Sequence, residues 1–262
     1  MANIGLIASE QGGAGRSARS KVYPSPQAAL GDVFEGAVVL VAGFAGAGWP
    51  EGLLMALRAT GVGNLTCVCQ GTWSGPSDIP SGTSASAPGP DDASKGRPGG
   101  VADLIASGQV RKLVCPMPFY PGRGGPVEAR WRSGELEVEA VPQGVLAEAL
   151  RAGGAGLGGV FLPTGAPMKS GFQEGREVRR FGMKDYVFQP ALRGDFALLR
   201  ASAADTLGNL VYRGTQRNWN PVMAMAARVT IVEVDEVHEP GGLDPEVIIT
   251  PGIFVKRIVQ RV

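Results

Sequence analysis

The chain has 262 residues, 44% of them hydrophobic and 19% charged, with a formal net charge of +1. That length suits one large α/β domain or two small ones. The near-neutral balance gives no reason to expect nucleic acid or an anionic membrane as partner, and no apolar run has the length of a membrane-spanning helix.

The opening stretch MANIGLIASEQGG lacks the basic and long apolar regions of a signal peptide, so a cytoplasmic location is expected. Cys67, Cys69 and Cys115 are too few for a disulfide framework. With His238 as the one histidine, no metal site is expected either. His238 lies in VDEVHEP, which reads as a solvated strand end rather than the centre of a Ser-His-Asp triad. Forty glycines are about twice the usual share. They cluster at element ends, as in AGFAGAGWPEG and RAGGAGLGG, which predicts tight turns and close backbone approaches.

In chain order, residues 1–20 read as a disordered lead, with a transit peptide as the competing reading, and residues 21–262 as one domain. SPQAALGDV (25–33) predicts a short helix capped by Ser25 with Pro26 in its first turn. AVVLVAGF (37–44) is a continuous apolar run, the signature of a central parallel strand. PEGLLMALRATG (50–61) predicts a helix with Leu53, Leu54 and Leu57 on one stripe and Gly61 at its stop. NLTCVCQG (64–71) is the next buried strand. Residues 75–99 are rich in Ser, Pro, Gly and Asp. They read as a flexible inserted loop, with a lid over a crevice as the alternative.

VADLIASGQ (101–109) predicts a helix and VRKLVCPMPFY (110–120) a strand. GELEVEAVP (134–142) alternates apolar and acidic residues and fits a half-exposed strand. Glu135, Glu137 and Glu139 on one of its faces are either an acid/base group or a solvated face, the plainer reading. Leu146 to Ala152 fit a helix stopped by Gly153 and Gly154, and VFLPTG (160–165) a buried strand ending in a turn. DFALLRASA (195–203) and RVTIVEVDEV (228–237) are further strands, with a helix at NPVMAMAAR (220–228) between them. This order predicts an α/β fold: an open, mainly parallel sheet flanked by helices.

Gly154, Gly156 and Gly159 have G-x-G-x-x-G spacing, but the helix precedes and the strand follows. That polarity is the reverse of a dinucleotide site. VVLVAGFAGAGWPEGLL has the productive polarity of strand, glycine turn and helix. Gly43, Gly46 and Gly48 would let the backbone approach a ligand toward which the helix at 50–61 aims its N-terminus. The competing reading is a tight packing turn. Gln143 stands between Pro142 and Gly144 where a strand gives way to a helix, the place where open α/β sheets hold ligands.

Together AGFAGAGWP (42–50), GELEVEAVPQGVLAE (134–148), RAGGAG (151–156), PTG (163–165), DFALL, ADTLGNLVYRGTQRNWNP, IVEVDEV and PGIFVKR (251–257) carry a resemblance. The chain resembles the α subunits of family I coenzyme A transferases of the 3-oxoacid and 3-oxoadipate type. The resemblance implies transfer of CoA between an acyl-CoA such as succinyl-CoA and a 3-oxo acid. It implies a β-subunit partner, in a heterodimer or heterotetramer, that carries a nucleophilic glutamate. The CoA thioester is then a substrate, and no cofactor is bound permanently. Carried over residue by residue, Gln143 would be the oxyanion-hole donor. A Gln that only caps its helix is the alternative. Gly43, Phe44, Gly46 and Gly48 would form the acyl-side wall. Gln70, Phe119 and Gly144 are further candidates for substrate contact. Asn218 and Asn220 are expected to organise a late turn. The sequence departs from the family's pattern at Ala42, 67–73 and 115–122. Two other readings therefore stand beside transfer. One is a half of a CoA-thioester hydrolase working on ring or β-keto intermediates, and the other a non-catalytic CoA-thioester-binding chain.

Overall fold

The computed structural model of the chain describes residues 20–72, 100–119, 125–166 and 175–261. The N-terminal lead and the loop at 75–99 fall outside the described residues. Among those described, a nine-stranded sheet forms the centre. Its strands are β1 (Val22–Tyr23), β2 (Val38–Val41), β3 (Leu65–Cys69), β4 (Val110–Cys115), β5 (Glu137–Ala140), β9 (Gly194–Asp205), β10 (Leu210–Val211), β11 (Ala227–His238) and β12 (Arg257–Gln260). They lie in the order β1-β12-β11-β9-β2-β3-β4-β5, with β10 paired to β9. Every pairing along the ordered path is parallel, and only β10 runs antiparallel.

Alternation along the strands explains the continuous apolar runs. Val39 and Val41 of β2 face one core, whereas Leu40 and Ala42 face the other. A parallel strand covered on both sides needs apolar residues at every position. The first core is closed by α1 (Pro26–Ala29), α2 (Glu51–Thr60), α3 (Val101–Ala106) and α4 (Pro126–Arg132). The second is closed by α5 (Gln143–Gly154) and α6 (Asn220–Met225).

Local signals act as expected at several ends. The Ser25 hydroxyl accepts the Ala28 N–H at 3.1 Å, and Gly61 ends α2 in the left-handed region at φ 71°. Leu53, Leu54 and Leu57 are the buried stripe of α2. The chain steps outward from β2 through β3, β4 and β5, then returns to the other side of β2 as β9, β11 and β12. The strand order therefore reverses between β2 and β9. In open α/β sheets the carboxyl ends at such a reversal form a crevice.

Three expectations need correction. VFLPTG does not join the main sheet. Its strand β6 (Gly159–Leu162) is half-buried and lies in a separate antiparallel sheet with β8 (Lys184–Pro190) and β7 (Val178–Phe181). That sheet is held by an aromatic group in which Phe161 lies 5.2 Å from Phe188 and 5.6 Å from Phe181. Gly153 and Gly154 do not stop α5, which runs through both. Instead they permit contact: a Cβ on Gly153 would sit 2.0 Å from the Leu192 carbonyl oxygen, and one on Gly154 2.7 Å from Met225. Glu135 precedes β5 and pairs with Arg130 at 2.9 Å, so it does not join Glu137 and Glu139 on the strand. Those two both bind Lys112 of β4 at 2.9 Å, as a solvated edge face does.

Candidate active site

The carboxyl ends of β2, β3, β4 and β5 lie side by side and carry most of the residues singled out in the sequence. The glycine turn follows β2. Phe44 and Ala47 exchange both backbone hydrogen bonds at 2.9 Å, closing a two-residue hairpin over Ala45 at φ 46° and Gly46 at φ 85°. Two successive positive φ values match the twist of a tight hairpin and favour glycine. Phe44, Ala45 and Gly46 are exposed at its tip.

Gly43 and Gly48 do different work from Gly46. Gly43, at φ 119°, lies against the Trp49 ring, where a Cβ would come within 2.8 Å. Gly48, at φ 72°, would place a Cβ 2.7 Å from the Asn220 amide nitrogen. Both are therefore packing glycines that shape the base of the turn. Asn218 and Asn220 latch it from the other side of the sheet reversal. Asn218 Nδ2 donates to the Ala47 carbonyl at 2.9 Å. The fully buried Asn220 donates to the Gly48 carbonyl at 3.2 Å and the Gln216 carbonyl at 2.7 Å, and accepts the Arg200 N–H at 2.9 Å.

Gln70 is buried at the end of β3. Next to it, Gly71 bridges to Met117 and the Thr72 hydroxyl donates to the Pro118 carbonyl at 2.9 Å, joining the β3 and β4 exits. Phe119 is turned away from this edge. Its ring packs 5.2 Å from Trp131 of α4 and against the first core.

Gln143 is the first residue of α5, directly beyond β5. Pro142 holds the N-cap position, with no side-chain cap. The Gln143 side chain is exposed and has no hydrogen-bond partner among the described residues. Gly144 beside it is exposed, with nothing within 4 Å of where a Cβ would stand. An uncommitted carboxamide thus stands at the carboxyl edge, three strand spacings, or about 14 Å, from the glycine turn.

One donor at the N-terminus of α2 is committed inside the protein rather than left for a ligand. The Leu53 N–H in its first turn donates at 2.9 Å to the Glu233 carboxylate of β11. Sequence reasoning missed Glu233 and its neighbour Arg200. Glu233 is 1% exposed, and its Oε1 lies 4.0 Å from Arg200 Nε. Arg200 in turn binds Asp235 at 2.5 Å. A cavity of about 360 Å³ opens beside Asp235, lined also by Ser202, Tyr212, Arg213 and Glu236. Burial raises the Glu233 pKa to about 7, against the lowering pull of the Leu53 N–H and Arg200. The available signal was an acid inside the apolar alternation IVEV.

The folded protein therefore holds the Glu233 proton more tightly than the unfolded chain. The stabilisation is full below the unfolded pKa near 4.5 and is lost as pH rises through about 7. We expect Glu233→Gln to remove that decline, worth on the order of 3 kcal/mol at most, in denaturant titrations run from pH 4.5 to 8. Parallel wild-type and variant profiles would contradict it.

Cys67, Cys69 and Cys115 are buried, and burial pushes the Cys67 thiol up to about 12. Among the described residues, no group of three or more His, Cys, Asp and Glu is placed to hold a metal ion. No helix among them is long and apolar enough to cross a membrane. His238 sits at the end of β11, 3.3 Å from Glu236.

Parallel strands with a reversal define an open α/β sheet, whose carboxyl edge carries a latched glycine turn and a carboxamide without a hydrogen-bond partner among the described residues. The sequence profile described as coenzyme A transferase matches residues 93–261. The α subunit of the 3-oxoadipate CoA-transferase of Pseudomonas putida is 40% identical over 240 residues, which is 92% of this chain and 93% of that protein. The α subunit of the succinyl-CoA:3-ketoacid coenzyme A transferase of Xanthomonas campestris pv. campestris (strain B100) is 40% identical over 245 residues, 93% of this chain and 90% of that protein. An acyl-CoA transferase of Escherichia coli O157:H7, solved as a thioester complex with CoA, shares the fold with a TM-score of 0.70 and 19% identity. The alignment covers 93% of this chain and 47% of that one, so this chain spans about half its length. The chain belongs to the coenzyme A transferase family, and within it matches α subunits along nearly their whole length.

Proposed function

We propose that this chain is the α half of a two-chain CoA-transferase that moves CoA between an acyl-CoA, such as succinyl-CoA, and a 3-oxo acid. The observation that carries the reading is the 40% identity to α subunits over nine-tenths of both chains. The free Gln143 carboxamide at the sheet's carboxyl edge supports it.

The chemistry needs a carboxylate nucleophile, which we assign to a glutamate of the partner subunit. Its attack on the acyl-CoA carbonyl forms the acyl–oxygen bond and drives negative charge onto the carbonyl oxygen. Collapse expels CoA thiolate and leaves an acyl-glutamyl anhydride. The thiolate then attacks the glutamyl carbonyl, giving a glutamyl-CoA thioester and releasing the first acid. A second carboxylate repeats the sequence in reverse. At each oxyanion the Gln143 Nε2–H₂ donates a hydrogen bond. A fixed donor aimed where charge develops contributes about 3 kcal/mol. Phe44 and Gly46 at the exposed tip form the acyl-side wall, Gly43 and Gly48 form the packed base that shapes it, and Gln70 and Gly144 stand at neighbouring strand ends. Phe119, which packs on Trp131 of α4, is given no substrate contact. The assembly is cytoplasmic, a heterodimer or heterotetramer, and binds CoA thioester as substrate with no permanent cofactor.

The test is co-expression with the product of the adjacent reading frame. CoA exchange from succinyl-CoA to acetoacetate is followed for the pair and for each chain alone. Exchange by the pair only is the expected result. Turnover by this chain alone would overturn the two-chain reading.

A further inference from the structure

We propose that Glu233 is a positioning residue. It fixes the start of α2 by accepting the Leu53 N–H, and Arg200 and Asn220 fix the glycine turn that precedes the helix. The first observation is the 2.9 Å bond from Leu53 to Glu233, made by a side chain that is 1% exposed. The second is that the helix is shaped to admit the carboxyl group: a Cβ on Gly52 would stand 2.8 Å from Glu233 Oε2. The third is continuity. The Arg200 N–H donates to Asn220, and Asn220 donates to the Gly48 carbonyl. Asn220 of α6, docked on the β9 backbone at Arg200, thus holds the turn at residue 48, and Glu233 of β11 holds the first turn of α2 at residue 53.

The hydrogen bonding within this layer is incomplete. Glu233 Oε1 and Arg200 Nη1 are buried without hydrogen-bond partners among the described residues. Glu233 faces Arg200 from β9, Arg261 from beyond β12 and Glu51 from α2, with Asp235 next along its own strand. Arg261 and Glu51 approach each other at 4.0 Å. A carboxyl group so enclosed is best accommodated as the neutral acid, which still offers the acceptor oxygen that Leu53 uses. Ionisation favours any motion that lets water reach it, and a loosening of the first turn of α2, which covers the carboxyl group, is such a motion. The glycine turn should therefore be held most firmly below about pH 5 and less firmly as pH rises through about 7, with no further change above that.

The consequence for catalysis rests on the proposed reading of residues 43–48 as the acyl-side wall. The experiment uses the full chain paired with its partner subunit, in wild-type, Glu233→Gln and Glu233→Ala forms. Amide hydrogen exchange is read over residues 42–54 and corrected for the intrinsic pH dependence. Steady-state CoA exchange from succinyl-CoA to acetoacetate is measured beside it. Glu233→Ala should speed amide exchange across 51–54 about tenfold and leave β3 and β4 unchanged. Glu233→Gln should restore wild-type protection and abolish the pH step. A similar loss in kcat/KM in the Ala form, recovered by Gln, is expected for transfer. Unaltered protection at 51–54 in Glu233→Ala, or a pH step that survives in Glu233→Gln, would overturn the proposal. Altered protection with unaltered transfer would uphold the positioning role and count against residues 43–48 as the acyl wall.

Discussion

Gln143→Ala is expected to lower the turnover of the assembled two-chain enzyme by 10²- to 10³-fold, with little change in KM for the acyl-CoA. The asymmetry follows from when the bond matters. A carbonyl oxygen in the ground state carries little charge, and in the tetrahedral species it carries nearly a full one. If Gln143 is the oxyanion donor proposed above, truncating it penalises the transition state selectively. The structure makes this substitution unusually clean. The Gln143 side chain is exposed and has no hydrogen-bond partner among the described residues, and Pro142, not Gln143, holds the N-cap. Removing it should leave the stability of α5 nearly unchanged. Calorimetry beside steady-state kinetics checks both halves. A variant that loses stability but keeps its turnover would show Gln143 to be a helix-terminus residue and nothing more.

Gly153→Ala is expected to destabilise the chain by about 3 kcal/mol, the cost of overpacking a close contact. Helix propensity alone predicts the opposite, because alanine gains up to about 1 kcal/mol over glycine inside a helix. Contact geometry decides between them. The new Cβ would meet the Leu192 carbonyl oxygen at 2.0 Å, far inside van der Waals contact. The segment it strikes is not free to retreat. The Leu192 N–H donates to the Ala149 carbonyl at 2.9 Å, and Arg193 Nε donates to the Gly153 carbonyl at 2.8 Å. Gly194 then begins β9 at the centre of the sheet. Thermal unfolding should show a fall of roughly 8 °C. Gly158→Ala, at a position with nothing within 4 Å, is the control expected to stay near wild type. A neutral or stabilised Gly153→Ala would show that α5 and the β9 entry do not pack as described.

The central sheet was legible where burial acts on both faces. AVVLVAGF and LTCVC have no polar alternation because Val39, Val41, Cys67 and Cys69 face one core, and Leu40 and Val68 the other. The β6–β8–β7 sheet was not legible. Val178 and Phe181 of β7 are exposed, so no periodic pattern marks that strand, and β6 by itself looks like another central strand. The glycine pair 153–154 misled for a related reason. Propensity describes a helix in isolation, and these glycines answer to Leu192 and Met225, which approach from elsewhere in the chain.

The candidate site divides in the same way. Gln143 could be found because it interrupts a local pattern, standing where strand gives way to helix. The glycine turn was visible too, but the separate duties of Gly43, Gly46 and Gly48 depend on Trp49 and Asn220. The reading of RVTIVEVDEV simply as a further strand does not single out Glu233. It is buried because the N-terminus of α2 lands on it, and only the tertiary structure records that landing.

The most direct test of CoA transfer is the mass balance of thioesters in the co-expressed pair. Succinyl-CoA and acetoacetate are supplied, and both acyl-CoA species are followed with time. Transfer predicts one acetoacetyl-CoA formed for each succinyl-CoA consumed, with no free CoA accumulating. Succinyl-CoA loss that appears as free CoA, with no new thioester, would contradict transfer and make the pair a hydrolase.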